Sequence, residues 1–371
     1  MLTIRISLCL LLAGAFAFGQ QPRLNVAPVP SDPLELVTGT SKVVDDAQER
    51  ATVFELLERA RQNATFQAGG APAYAMRVSF EASGNVSYTG SGSMLEVWQS
   101  PRNWRWTAQL GSYHQDRLLA FGRMHDKRTD SFVPMRLQMV RGALFWPMWF
   151  NPRALTRVAP AKIGGTDVIC GLLSAPINDP AVMQSEPGRR WVETEFCLDP
   201  KLAVLRSYSE APGIYTVYDY SDALQFHGHL VARNITITEG GNTVLKIHVD
   251  SVSDPSADDL ALLRPSADLL SSGSEPALEV AYRIPQYVNS QDVNPNSMVK
   301  PVIVHAIVGP DGRVLDAEAL QNYDPQIAAA ALDLVRRSTY APQRGEFGNA
   351  QREYFINVKF LPPQQQAGGG N

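Results

Sequence analysis

The sequence predicts an α+β protein: a large antiparallel β meander with a packed helix, followed by a small β-β-α-β unit. Three observations carry this. From Tyr74 to about Val252, short runs of alternating apolar and polar residues follow one another, broken by Gly, Asn and Ser. Ahead of them, residues 42–64 place apolar residues at helical spacing. Behind them, residues 299–360 switch from a period of two to a helical period and back.

The chain has 371 residues. Its first twenty hold one charge, Arg5, an apolar run of about a dozen residues, and small residues at Ala15, Ala17 and Gly19. This reads as a signal peptide over 1–19, because about 20 apolar residues are needed to span a bilayer. Cys9 lies too early in the run to be a lipidation site. The 33 basic and 37 acidic residues become 32 and 37 once Arg5 is removed, with no basic block, so nucleic acid is an unsuitable partner. Residues 20–41, with Pro22, Pro28, Pro30 and Pro33, form a flexible leader.

In the helix over 42–64, Val43, Ala47, Phe54, Leu57 and Ala60 make the apolar stripe. Strands are expected at 74–82, 86–98, 102–110 and 114–121, and again at 190–197, 202–209, 214–220, 229–238 and 243–252. Between the two sets, residues 134–152 combine helical periodicity with Phe145, Trp146, Trp149 and Phe150, a cluster that is either core or lid. Export leaves Cys170 and Cys197, an even pair in an oxidising compartment, as a disulfide or as two small core residues; the compartment favours the disulfide. Residues 253–277, rich in Ser, Pro, Asp and Ala, read as a linker.

The β region, 42–252, resembles the periplasmic lipoprotein-carrier families of the LolA/LolB type. The likeness is best over LDPKLAVLRSYSE and the strands from Tyr215 to Val252, where an Asp-Pro-Lys turn, a Tyr-x-Asp-Tyr strand and two long closing strands come in the family's order. It implies that the meander forms an unclosed β-barrel around an apolar cavity under helical lids, holding a lipid or lipidated protein. Phe54, Leu57, Phe145, Trp146, Trp149 and Phe150 are its candidate lining, with Trp146 and Trp149 near the mouth.

In the last segment, Val302, Val304, Ala306 and Val308 alternate along a strand, and Gly309-Pro310-Asp311-Gly312 turns it back. Asp324 suits an N-cap and Pro325 the first helical position; Ile327, Ala331, Leu334 and Val335 form one stripe, and Arg336 and Arg337 suit the last turn. This order, with Pro285-Gln286-Tyr287 before it and Val-x-Phe at its end, resembles the TonB carboxy-terminal domain family over 278–362. Val288 departs from the family's second proline, and 363–371 read as a disordered tail. The resemblance implies a module whose closing strand takes up an extended peptide of an outer-membrane or envelope protein. That role maps onto Tyr354, Phe355, Ile356, Asn357, Val358, Lys359 and Phe360. One strand does not say which alternate set faces the helix.

No nucleophile elbow, P-loop, dinucleotide fingerprint or metal motif appears, so no enzyme, cofactor or metal is expected. His227 and His229 lack further ligands, and His114, His125, His248 and His305 read as strand-surface residues. Gly90-Ser91-Gly92-Ser93 reads as a bend. The expected function is a periplasmic binding and adaptor protein, an apolar-ligand carrier fused to a peptide-docking module. The alternative is a membrane-anchored energy transducer of the TonB type that keeps residues 1–20; the short segment 253–277 and the short apolar run speak against it.

Overall fold

The computed structural model describes residues 42–43, 47–271 apart from 121, 146, 149–154, 175–192 and 212, then 286–289, 302–320, 325–341, 344–345, 348–349 and 351–358. The expected signal peptide, leader and tail, and Asp324, lie outside the described residues.

The chain begins with β1 (Lys42–Val43) and helix α1 (Ala47–Ala64). A first meander follows: β2 (Tyr74–Ala82), β3 (Gly90–Ser100), β4 (Asn103–Leu110), β5 (Tyr113–Ala120) and β6 (Arg123–Arg128). Helix α2 (Met135–Phe145) separates it from a second series: β7 (Leu155–Ile163), β8 (Thr166–Ser174), β9 (Glu193–Asp199), β10 (Val204–Ala211) and β11 (Ile214–Asp219). A hairpin of β12 (Leu224–Phe226) and β13 (His229–Val231) precedes β14 (Asn234–Glu239) and β15 (Asn242–Ser253). Antiparallel pairing of β15 with β2 joins the two series into one sheet of 13 strands, ordered β1-β7-β8-β9-β10-β11-β14-β15-β2-β3-β4-β5-β6. Its end strands β1 and β6 do not pair with each other, so the sheet is unclosed.

The sequence reading missed β6, β7 and β8. β6, Arg-Met-His-Asp-Lys-Arg, is almost wholly polar, and its buried acid is neutralised by neighbours: Asp126 lies between Arg117 and Arg128. Gly90 to Ser93 open β3 rather than making a bend. Gly92 is needed there because a Cβ would lie 2.2 Å from the Phe80 ring on the paired strand. The Asp-Pro-Lys turn is as expected, with Asp199 Oδ1 accepting from the Lys201 and Leu202 amides at 2.9 and 3.1 Å.

The stripe of α1 is Val53, Leu56, Leu57 and Ala60, all buried: Leu57 and Ala60 are as expected, and Val53 and Leu56 complete the face in place of the other expected residues. Residue 43 belongs to a strand, Ala47 is exposed, and Phe54 flanks the stripe half-buried. Residues 257–271 are not a plain linker. They form α3 (Ala257–Ala261) and α4 (Ala267–Ser271), fixed to the sheet by Leu263 on Ala75 and Val97, Leu269 on Leu118 and Ala120, and an ion pair of Asp259 with Arg77 at 2.6 Å. The signal was the Ser256-x-x-Asp259 capping box, which compositional reading of a Ser/Pro/Asp-rich stretch passes over.

After β16 (Gln286–Asn289) come β17 (Val302–Val308), β18 (Val314–Ala319), helix α5 (Pro325–Arg337), the short pair β19 (Arg344–Gly345) and β20 (Gly348–Asn349), and β21 (Arg352–Val358). The second sheet has the order β16-β21-β17-β18. Gly312, at φ +84°, lets the hairpin tip meet the end of α5: the Tyr340 amide donates to its carbonyl at 2.8 Å, and a Cβ would lie 2.0 Å from Tyr340 O.

Both faces of β17 are buried. Val302, Val304, Ala306 and Val308, with Tyr354, Ile356 and Val358, pack on Ala331, Leu332 and Val335 of α5. The opposite face, Ile303, Ile307 and Phe355 with Leu320 beyond β18, joins the main core with α1, α2 and the large sheet. The second sheet is thus sandwiched between its own helix and the β domain, each large apolar side chain so buried contributing about 1.5–3 kcal/mol. This also settles which set of β21 side chains faces the helix.

Candidate functional site

Where the amino-terminal helices meet the large sheet there is an apolar pocket. It is bounded by Ala64 at the end of α1, by Ala143 and Leu144 at the end of α2, and by Met76, Tyr218 and Ile235 of the sheet. Its volume is about 30 Å³, room for one or two waters, whereas drug-sized ligands occupy pockets of about 300–1,000 Å³. Both helices pack directly on the sheet. Of the expected lining, Leu57 and Phe145 are buried in the main core and Phe54 packs against that core, but none of the three lines this pocket; Trp146, Trp149 and Phe150 lie outside the described residues.

Helix α2 carries the polar chemistry beside this pocket. Except for Gly142, every residue from Met135 to Phe145 is buried, so Arg136 and Arg141 must be paired within the protein. Arg141 Nη2 donates to both oxygens of Glu96 at 3.1 Å, and its guanidinium lies 4.6 Å over the Trp106 ring. Glu96 also accepts from Gln67 at 2.8 Å; burial pushes its carboxyl up, against the pull of Arg141.

Arg136 reaches the other way, toward the carboxy-terminal sheet. It donates to Glu239 of β14 at 2.9 Å, to the Ser83 carbonyl at 2.9 Å, and to Glu318 of β18. Glu239 meets Nδ1 of His305 on β17 at 3.2 Å, and His305 Nε2 meets Glu353 of β21 at 2.5 Å. Two further links tie the same elements: Glu318 accepts from the Asn85 amide at 2.9 Å, and Asp316 from the Ser87 amide and hydroxyl at 3.2 Å. Gln351 clasps Val133, just ahead of α2, accepting from its amide and donating to its carbonyl at 3.1 Å each. His305 is therefore no strand-surface residue; its side chain is fully buried. The sequence signal was a histidine and two arginines in otherwise apolar runs, Val-Ile-Val-His-Ala-Ile-Val and Met-Arg-Leu-Gln-Met-Val-Arg, yet their partners lie far away in sequence.

The titration of this network follows from its geometry. Burial raises the Glu318 carboxyl, the neighbouring Glu239 adds to the rise and Arg136 opposes it, leaving Glu318 at about 7. Burial would raise Glu239 as well, but Arg136 and the hydrogen bonds from His305 and Glu318 outweigh it and hold Glu239 well below the usual carboxylate range. The two carboxyls titrate as a unit that keeps one proton near neutrality. Burial would lower His305, yet its hydrogen bonds to Glu239 and Glu353 raise it to about 10. Glu318 holds its proton in the fold and releases it near its ordinary 4.5 when unfolded, so its part of the stability falls from about pH 4.5 to 7. His305 contributes fully below its ordinary 6.5 and loses its contribution as pH rises to about 10. Melting temperature should therefore fall steadily between pH 6 and pH 9.5, and Glu318→Gln should make the fall between pH 6 and 7 shallower while leaving the His305 part above it. Differential scanning calorimetry across that range checks it; a wild-type melting temperature constant over the range contradicts it.

The strand assigned to peptide docking is not a free edge. One side of β21 pairs with β17, and on the other Tyr354 to Asn357 pair in parallel with the chain's own Gln286 to Asn289. Lys359 and Phe360 lie outside the described residues. Elsewhere, Cys170 and Cys197 sit opposite each other on β8 and β9 and form a disulfide. They and Glu195 are the group with metal-ligand spacing among the described residues, but the bonded sulfurs offer no thiolate. His227 meets Asp254 at 2.7 Å and His229 the Asn63 carbonyl at 2.9 Å, so the two are used in separate contacts. A larger concavity of about 780 Å³ lies over β2–β6 beside α4. Its charges are largely matched: Arg77 pairs with Asp259, Asp116 with Arg105, and Lys127 with Asp268.

No family model matches the chain, and no curated protein matches it. Among solved structures it is similar to a LolA superfamily protein from Nitrosomonas europaea, at 9% identity over 56% of this chain and 96% of that one, with a TM-score of 0.34. A putative outer membrane lipoprotein-sorting protein domain from Vibrio parahaemolyticus is 10% identical over 56% and 98% of the two chains, TM-score 0.29. LprF from Mycobacterium bovis is 11% identical over 57% and 96%, TM-score 0.24. At these scores no role is transferred from one protein to another. No helix among the described residues is long and apolar enough to cross a membrane.

Proposed function

We propose that this chain is a periplasmic carrier of an apolar ligand, a lipid or the acyl chain of a lipidated protein, and that its carboxy-terminal sheet docks an extended peptide. The carrier reading rests on one observation: two helices seated on an unclosed sheet meet at an apolar pocket whose walls come from both. A helix-covered pocket with a largely apolar lining suits a ligand recognised by its apolar surface. The peptide reading is supported by the parallel four-residue pairing of Tyr354 to Asn357 with the chain's own Gln286 to Asn289, a strand that a partner peptide would replace.

A dansyl-labelled undecanoic acid should bind at about one equivalent, with a blue-shifted emission and a change in tryptophan fluorescence. Ala143→Trp, which fills the pocket at the end of α2, should reduce that binding at least about tenfold, the effect expected when an occluding side chain forfeits ~1.4 kcal/mol or more of buried contact. Unchanged probe emission at saturating protein removes the carrier reading. Where the probe binds, mass spectrometry of lipids co-purified from the native envelope would identify the ligand class.

A further inference from the structure

We propose that the carboxy-terminal sheet is a latch on helix α2: Glu318 and Gln351 hold the amino end of the helix down, and releasing them lets that end lift and the apolar pocket lengthen beneath it. The proposal rests on the carrier reading for its purpose, but its structural content is independent of any ligand.

The two ends of α2 are held by different parts of the protein. At the carboxy end the anchors belong to the large sheet: Tyr218 Oη donates to the Ala143 carbonyl at 2.9 Å, and Arg141 pairs with Glu96. At the amino end the anchors come largely from the second sheet. Glu318 of β18 takes Arg136, Gln351 ahead of β21 clasps Val133, and Glu239, which also holds Arg136, is itself tied to β17 through His305. Loss of Glu318 and Gln351 leaves the amino end tied to the large sheet through Arg136, by Glu239 of β14 and the Ser83 carbonyl, while the other end, where the small pocket already exists, keeps its own anchors. A helix held more firmly at one end pivots there. Its underside, Leu137, Val140 and Leu144 among others, belongs to the main core, so a lifted amino end would open an apolar groove continuous with the pocket. Eleven helical residues span about 16 Å, long enough for an extended acyl chain.

The latch is built to release. Val133 is held by two hydrogen bonds from one side chain, and Arg136 by two carboxylates that face each other, so ionising both adds like-charge repulsion at the joint. The charged groups around Glu318 are Arg136 from α2, Glu239 from β14, His305 from β17, Glu353 from β21 and Asp316 on its own strand. Alkaline conditions that ionise Glu318 therefore loosen the latch. Docking a peptide on β21 would act on the same sheet.

The test is hydrogen exchange of residues 135–145 in the full chain, corrected for intrinsic rates, alongside the uptake rate of the dansyl-labelled undecanoic acid. Gln351→Ala should raise exchange in 135–140 by about tenfold, the size expected for losing two buried hydrogen bonds, and should speed probe uptake. In the wild type the same amides should exchange faster at pH 8.5 than at pH 6, and Glu318→Gln should shrink the difference to the part that His305 supplies. This second comparison protects the helix rather than loosening it, so it decides the matter even if Gln351→Ala fails to fold. Faster exchange without probe uptake supports the latch and removes the carrier reading. Uptake by the wild type with exchange of α2 indifferent to pH, to Glu318→Gln and to Gln351→Ala overturns the latch and leaves the carrier reading standing.

Discussion

Replacing Arg136 by leucine should destabilise the protein by about 3–5 kcal/mol at pH 8, the cost of leaving buried carboxylates without their cation. Its side chain is fully buried, and Glu239 beside it is almost equally so, so water cannot take over the pairing. The loss should be smaller at pH 6, where Glu318 carries its proton and one carboxylate fewer needs compensation. A triple variant, Arg136→Leu with Glu239→Leu and Glu318→Leu, should recover much of the loss, because replacing a whole buried ionic group by apolar side chains is often neutral or stabilising. Urea unfolding followed by tryptophan fluorescence reads all three numbers. If Arg136→Leu shifts stability by less than 1 kcal/mol at pH 8, the ionic network does not hold the two sheets together.

The disulfide should matter by a comparable amount. Cys170 and Cys197 are 27 residues apart, and closing a loop of that size removes about 3–4 kcal/mol of unfolded-state freedom in the chain-entropy model. Both sulfurs lie in a small cluster with Val168, flanked by Ala161 and Ile163 and with the buried Glu195 carboxylate 3.6 Å from Cys197 Sγ; a disulfide sulfur carries no hydrogen to donate to it, so alanine at both positions removes no hydrogen bond. Cys170→Ala with Cys197→Ala should lower stability by that amount, and reduction of the wild type should match it. Since β8 and β9 share no partner with Arg136, the losses from the two sites should add within about 0.5 kcal/mol. A double-cysteine variant as stable as the oxidised wild type under denaturant would show that the bond is incidental to the fold.

Local chemistry was enough for much of this. The order strand, hairpin, strand, helix, strand in the last segment, the helix starting at Pro325, the Asp199 turn and the pairing of the two cysteines follow from turn residues, capping positions and parity, all of which act over a few residues or depend on composition. The amphipathic helix at 47–64 was legible as an element, but its buried face was set by the partner it found: Leu56 and Val53 turn inward where the pattern had favoured Ala47 and Phe54. The polar strand β6 and the small helices α3 and α4 escaped because their stability lies in contacts with other strands, Arg128 on Asp126 and Leu269 on Leu118.

By itself the sequence determined an α+β chain with a long antiparallel series, a covering helix and a compact final unit, because alternation, helical spacing and turn chemistry are written in neighbouring residues. Only the tertiary structure decided that the final sheet lies with Ile303, Ile307 and Phe355 against the β domain, that its closing strand is paired on both sides, and that Arg136, Glu239, His305, Glu318 and Glu353 meet. Those partners are up to 217 positions apart, from Arg136 to Glu353. Desolvation makes their pairing obligatory once they are buried, yet nothing in the residues beside each of them says which distant charge will answer it.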